Sequence, residues 1–169
     1  LAIENQEIEM SKVMQSSGML AIVLSLTVGC SQSEPSSPNG AAVNAAYLLS
    51  EEPADAQGVA EARKSEGDEE VVTVEGRIGG SAKPFVDGIA AFTIVDPAIP
   101  YCSADEGCPT PWDYCCETDK LKDGTALVKI VSADGAPVSQ DARELIGVKE
   151  LAKIVVRGKA QRDDEGNLT

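Results

Sequence analysis

Residues 70–78 read EVVTVEGRI. Val72, Val74, Gly76 and Ile78 fall on one face of an extended chain; Thr73, Glu75 and Arg77 fall on the other. That two-residue period belongs to a half-buried β-strand. Gly79-Gly80 ends or bends it. Residues 89–95 (IAAFTIV) read as a second strand, closed by Asp96-Pro97. Residues 126–131 (ALVKIV) read as a third, followed by the turn Asp134-Gly135. Residues 140–146 (QDARELI) have helical composition and stop at Gly147. Residues 153–160 (KIVVRGKA) are a fourth strand. Asp163-Asp164-Glu165-Gly166-Asn167 then reads as a tight hairpin turn, and Leu168-Thr169 opens a fifth strand. The expected fold class is mainly β, with one short helix.

Three strands, a short helix and two strands resemble the OB-fold, a five-stranded Greek-key barrel with its helix between strands three and four. The resemblance covers residues 70–169. It rests on that order and on the strand–glycine pairs Val74-Glu75-Gly76-Arg77 and Val156-Arg157-Gly158-Lys159. The alternative is another small all-β sandwich. Two residues make a poor closing strand, and an open edge invites aggregation, so the last strand is expected to be truncated and the chain to be a fragment.

Composition bounds the function. The chain has 169 residues, 14 basic and 28 acidic, for a net charge of −14, and it has five cysteines and no histidine. Without histidine there is no Ser-His-Asp or Cys-His catalytic group and no histidine zinc site. The acidic balance argues against nucleic acid, whose phosphates need clustered Lys and Arg. Hydrophobic residues make up 43%, enough for a core. No nucleophile with an adjacent base stands out, so the chain is not read as an enzyme, and no cofactor is implied.

Residues 10–30 read MSKVMQSSGMLAIVLSLTVGC. Lys12 supplies a positive n-region, and Met19 to Val28 is apolar apart from Ser25 and Thr27. This is the pattern of a secretory signal peptide over 10–29, with 1–9 as upstream sequence. The apolar run falls short of the roughly 20 residues that span a bilayer. Thr27-Val28-Gly29-Cys30 resembles a bacterial lipobox, which implies lipidation (diacylglycerol, palmitate) at Cys30 and a membrane anchor. Thr27 stands where that family usually has Leu. Ser31 after the cysteine implies outer-membrane sorting, facing the periplasm; the alternative is a soluble secreted protein. Removing 1–29 takes away Glu4, Glu7, Glu9 and Lys12 and leaves a charge of −12.

Residues 30–46 have the Ser/Pro/Gly composition of a tether, and the N-terminal region is expected to be disordered. Residues 47–69 read as a docking segment, led by Tyr47-Leu48-Leu49. It holds a short helix over 55–64 capped by Asp55, then a polar loop. The domain proper spans 70–169. The whole run, lipobox included, resembles an uncharacterised bacterial OB-fold lipoprotein family. With no activity assigned to it, that family implies no catalytic residues.

Between strands two and three lies a loop, 97–123, containing YCSADEGCPTPWDYCC. Cys102, Cys108, Cys115 and Cys116 are interleaved with Tyr101, Trp112 and Tyr114, and five of the chain's six aromatics lie between 85 and 114. A loop of this length needs staples or a function. In an oxidising compartment the four cysteines read as two disulfides, with Cys102 and Cys108 each joined to one of Cys115 and Cys116. The alternatives are a four-thiolate Zn or Cu site, or a thiol-redox role. Structural zinc usually has paired C-x2-C knuckles, and there is no C-x-x-C here. Asp105, Glu106, Asp113, Glu117 and Asp119 read as solvated charge. Tyr101, Trp112 and Tyr114 are the candidate binding residues. The function expected is a cell-envelope lipoprotein with a non-enzymatic binding or structural role toward an envelope protein or glycan.

Overall fold

The structure, a computed structural model, describes residues 44–64 and 69–169. The leader at 10–29, Cys30 and the tether up to residue 43 lie outside the described residues, as does most of the polar loop after the first helix. The described chain is mainly sheet. Its elements are β1 (Gln57–Gly58), α1 (Val59–Lys64), β2 (Val71–Ile78), β3 (Ala91–Val95), α2 (Thr118–Gly124), β4 (Thr125–Lys129), α3 (Ala142–Ile146) and β5 (Lys153–Lys159).

β2, the alternating stretch, is the hub. One edge pairs antiparallel with β5, from Val71 opposite Lys159 to Arg77 opposite Lys153. Its other edge meets β1 in parallel at Val74 and Glu75, then β3 antiparallel at Arg77 and Ile78. β3 pairs antiparallel with β4. The alternation places Val74 and Ile78 in the core with Phe92, Ile94 and Ala126; Val72, Val128, Ile154 and Val156 pack against them half-buried.

Four of the five strand positions read from the alternation are strands here, and helix α3 stands where its composition put it. Asp141 caps α3 by accepting the Arg143 N–H at 2.9 Å, and Gly147 ends it in the left-handed region at φ 72°. Several expectations need correction. There are three short α-helices among the described residues: α1 and α3 lie within the two expected stretches, 55–64 and 140–146, and α2, in the loop, is additional. The fifth strand is β1, whose two residues are too few to show a period. Leu168 instead forms isolated bridges, parallel to Ala126 and antiparallel to Arg162. The sheet is mixed and does not close into a barrel among the described residues: β5 pairs with β2 alone, and Leu168 makes only isolated bridges, to Ala126 and to Arg162. In the docking segment, contact begins earlier than Tyr47: the Asn44 N–H donates to the Leu145 carbonyl at 2.8 Å. Tyr47 packs on the core, whereas Leu48 and Leu49 are exposed.

Nor is Asp55 the cap of α1. The acceptor comes from across the fold. The buried Asp96 takes the Ala60 N–H and the Ala98 N–H on its two carboxylate oxygens, each at 2.8 Å. Gly58 leaves room for this, since a Cβ there would sit 2.7 Å from Asp96 Oδ2. Asp96→Ala strips the start of α1 of a charge-assisted acceptor, with an expected cost of about 2 kcal/mol. The urea midpoint of the variant checks it. An unchanged midpoint would show that water replaces the carboxylate without loss.

Candidate functional site: the cysteine loop

The loop between β3 and β4 is tied at its base and pinned at its tip. At the base, the Asp96 N–H donates to the Gly124 carbonyl at 2.8 Å, and Gly124 leaves space for Ile99. The sequence showed no regular pattern here, yet the loop holds 3-10 turns at Ala104–Glu106 and Pro111–Asp113 and then α2. Ser103 and Glu106 stabilise the first turn: the Ser103 N–H donates to Glu106 Oε2 at 2.5 Å. Thr110 Oγ1 donates to Asp113 at 2.6 Å across the second, and the Cys115 N–H donates to the other Asp113 oxygen at 2.9 Å. The Thr110 hydroxyl, followed by that backbone N–H, holds the Asp113 carboxyl below its ordinary range.

Gly79-Gly80 has a second role besides ending β2. The Gly80 N–H donates to the Trp112 carbonyl at 2.8 Å, and a Cβ on Gly79 would lie 2.5 Å from that oxygen and 2.8 Å from Tyr114 Cε2. The missing side chain is what lets the loop lie against the strand end. Tyr114 is wholly buried there, in the left-handed region at φ 58°. Its hydroxyl has no hydrogen-bond partner among the described residues, and burial raises its pKa. Trp112 is half-buried, with its indole N–H donating to the Ala82 carbonyl at 3.2 Å. Tyr101 is 45% exposed, and the Arg77 guanidinium lies 5.0 Å from its ring centroid. Of the three aromatic candidates, Tyr101 and Trp112 present surface and Tyr114 is core.

These pins bring the four cysteines together. Their sulfurs all lie within 4.8 Å of one another. Cys115 Sγ is the centre of the group: it is 3.5 Å from Cys102, 3.5 Å from Cys108 and 3.9 Å from Cys116. All four cysteines are free, at separations well beyond the roughly 2.05 Å of a disulfide. Cys102 is buried, Cys108 half-buried, and Cys115 and Cys116 exposed. Burial pushes the Cys102 thiol up, but hydrogen bonds from Cys115, the Cys116 backbone N–H, Cys108 and the Cys116 thiol outweigh it and hold Cys102 below the ordinary cysteine value. Cys115 is driven far above that value by its bonds to Cys108, Cys102 and Cys116.

Four thiolates around a tetrahedral zinc ion, each about 2.3 Å from the metal, stand about 3.8 Å apart. The separations of 3.5, 3.5 and 3.9 Å fall on either side of that edge. Adjacency of Cys115 and Cys116 does not keep them out of one cluster: their sulfurs lie 3.9 Å apart. Comparison of the chain with protein-family models, with curated proteins and with solved structures returned no match.

Proposed function

We propose that the described domain is built around a four-thiolate metal centre, with Cys102, Cys108, Cys115 and Cys116 as ligands and zinc as the ion the geometry suits best. The single observation that carries this reading is the gathering of four sulfurs within 4.8 Å of one another, with Cys115 Sγ 3.5–3.9 Å from each of the other three. Soft Cu(I) is the other ion such a donor set accepts. The role is structural. The ion ties the two halves of the loop together and presents Tyr101 and Trp112 on its outer side. Histidine, the usual companion of catalytic zinc, is missing from the chain, and all four positions of the ion would be filled by protein.

This centre sits in an exported cell-envelope protein, anchored through lipid at Cys30, facing the periplasm and acting by binding an envelope protein or glycan rather than by catalysis. No helix among the described residues is long and apolar enough to cross a membrane; the lipid anchor of this reading rests on the lipobox-like Thr27-Val28-Gly29-Cys30. Bound metal would hold the thiols as thiolates where they would otherwise oxidise. We also read the sheet as OB-like. The strand order, α3 between β4 and β5, and the parallel seating of Leu168 beside Ala126 support that.

Metal analysis and intact mass of the purified protein test the centre together. About one equivalent of zinc and four alkylatable loop thiols are expected. A metal-free protein lighter by about 4 Da than its reduced form, two hydrogens per bond, would replace the centre with two disulfides.

A further inference from the structure

Cys115 is both the hub of the sulfur cluster and a way into it. Its Sγ lies 3.5 Å from Cys102 and 3.5 Å from Cys108, and the residue is exposed. Cys102 is buried, so an oxidant in solution meets Cys115 or Cys116 before it meets Cys102. Whatever forms on Cys115 has two other sulfurs in contact with it. A closing movement of about 1.5 Å turns either contact into a disulfide. The pairings of β2, β3, β4 and β5 do not pass through the cysteine segments, so that movement can stay within the loop.

Charge selects the oxidant. Asp105, Glu106, Asp113, Glu117 and Asp119 lie on the loop, and residues 101–119 contain no Lys or Arg. Asp113 stands next to the hub, accepting the Cys115 N–H at 2.9 Å. Arg77, over the Tyr101 ring, and Lys120, held by Glu117 at 2.6 Å, offset only part of this charge. A neutral hydroperoxide reaches such a loop without penalty, whereas an anionic disulfide such as glutathione disulfide is repelled.

We propose, building on the four-thiolate centre, that the cluster is a reactive site for hydroperoxides, which discharge its metal and leave two disulfides. The ion that keeps the sulfurs from pairing spontaneously also keeps them as thiolates, the form that attacks a peroxide. The Cys115 thiolate attacks one oxygen of hydrogen peroxide. The O–O bond breaks, a sulfenic acid remains on Cys115, and the other oxygen leaves as hydroxide, which takes a proton from solvent. Cys102 or Cys108 then attacks the Cys115 sulfur, forms the S–S bond and expels the hydroxyl, which leaves as a second water. Cys116 and the remaining member of that pair repeat the sequence with a second peroxide. Four thiolates thus lose four electrons, two peroxides gain them, and four protons are taken up as four waters form and the ion departs. Trp112, the chain's single tryptophan, lies between Cys108 and Cys115 and reports the exchange.

The whole protein, reduced, loaded with zinc and freed of excess metal, is titrated with hydrogen peroxide and in parallel with glutathione disulfide. Zinc release to a chromophoric chelator, intact mass, disulfide mapping and Trp112 emission follow the course. One zinc is expected to leave for about two equivalents of peroxide, giving a mass about 4 Da below that of the reduced, metal-free chain. The first bond mapped should join Cys115 to Cys102 or Cys108. Trp112 emission should change as zinc leaves and return after reduction and zinc addition. Added salt should speed release by glutathione disulfide and leave release by peroxide unchanged. A chain that takes up no zinc while its loop thiols are free sinks the metal centre itself. Zinc kept after the peroxide is consumed, sulfinic acids in place of disulfides, a first bond that omits Cys115, or unchanged Trp112 emission overturns the hydroperoxide site and leaves the centre standing. Release by glutathione disulfide that matches peroxide at every salt concentration overturns its selectivity.

Discussion

Cys102→Ser is expected to cost the protein its stoichiometric metal. Cys102 is the buried ligand, and the sulfur of Cys115 and the backbone N–H of Cys116 both converge on it. A serine hydroxyl at this position is a harder, shorter and still protonated donor. Loss of residues that merely orient a ligand lowers metal affinity by 10- to about 100-fold, so loss of the ligand itself should exceed the top of that range. Competition against a chromophoric chelator measures it. The exposed Cys116 offers the contrast: Cys116→Ser should weaken binding less, since water and the remaining three thiolates complete the shell more easily at the surface. The sheet should survive both changes, because β2, β3, β4 and β5 pair without using the loop. Faster hydrogen exchange confined to the loop is therefore the companion signature. Metal binding must also weaken as pH falls, since each ligating thiol gives up a proton to the solvent when the ion enters. Full metal occupancy of Cys102→Ser under chelator competition would sink the four-thiolate centre.

The strands were legible because half-burial imposes a two-residue period. Val72, Val74 and Ile78 were assigned to the inner face from alternation alone, and they point inward in the structure. Helix α3 was legible from its ends, Asp141 and Gly147. The site was legible only as a list. Cys102, Cys108, Cys115 and Cys116 could be named as a cluster, yet their spacing suggested disulfide staples at least as strongly as a metal. Nothing in a linear sequence reports that Gly79 is bare so that the Trp112 carbonyl can approach it. Asp96 was hidden for the same reason. It read as a turn residue before Pro97, and its work at the start of α1 lies 36 positions away along the chain. Long-range partners that occur once, without a period, leave no local trace. The doubled glycine is the one local signal of that junction: a second glycine after a strand asks for close approach as well as for a bend.

Tyr114 gives the other large effect, and it separates the ring from its hydroxyl. The ring is wholly buried against Gly79, at the junction of sheet and loop. Tyr114→Ala should cost about 3–5 kcal/mol, the range for emptying an aromatic site in a packed core. Tyr114→Phe keeps the ring and deletes an unpartnered buried hydroxyl. A buried hydroxyl without a partner carries a desolvation penalty of about 1–3 kcal/mol, so the phenylalanine variant should be at least as stable as the parent. Both variants keep the left-handed backbone at this position, so their difference reports packing rather than strain. Chemical denaturation with the metal saturated reads both. Gly79→Ala approaches the same junction from the strand side and should push Trp112 and Tyr114 outward, weakening metal binding without touching a ligand. If Tyr114→Ala loosens the loop and the metal together while Tyr114→Phe leaves both intact, the ring is the wedge that transmits the order of β2 to the four sulfurs. If Tyr114→Ala costs under about 1 kcal/mol, the loop is held by its sulfurs alone and the packing account of the junction is wrong.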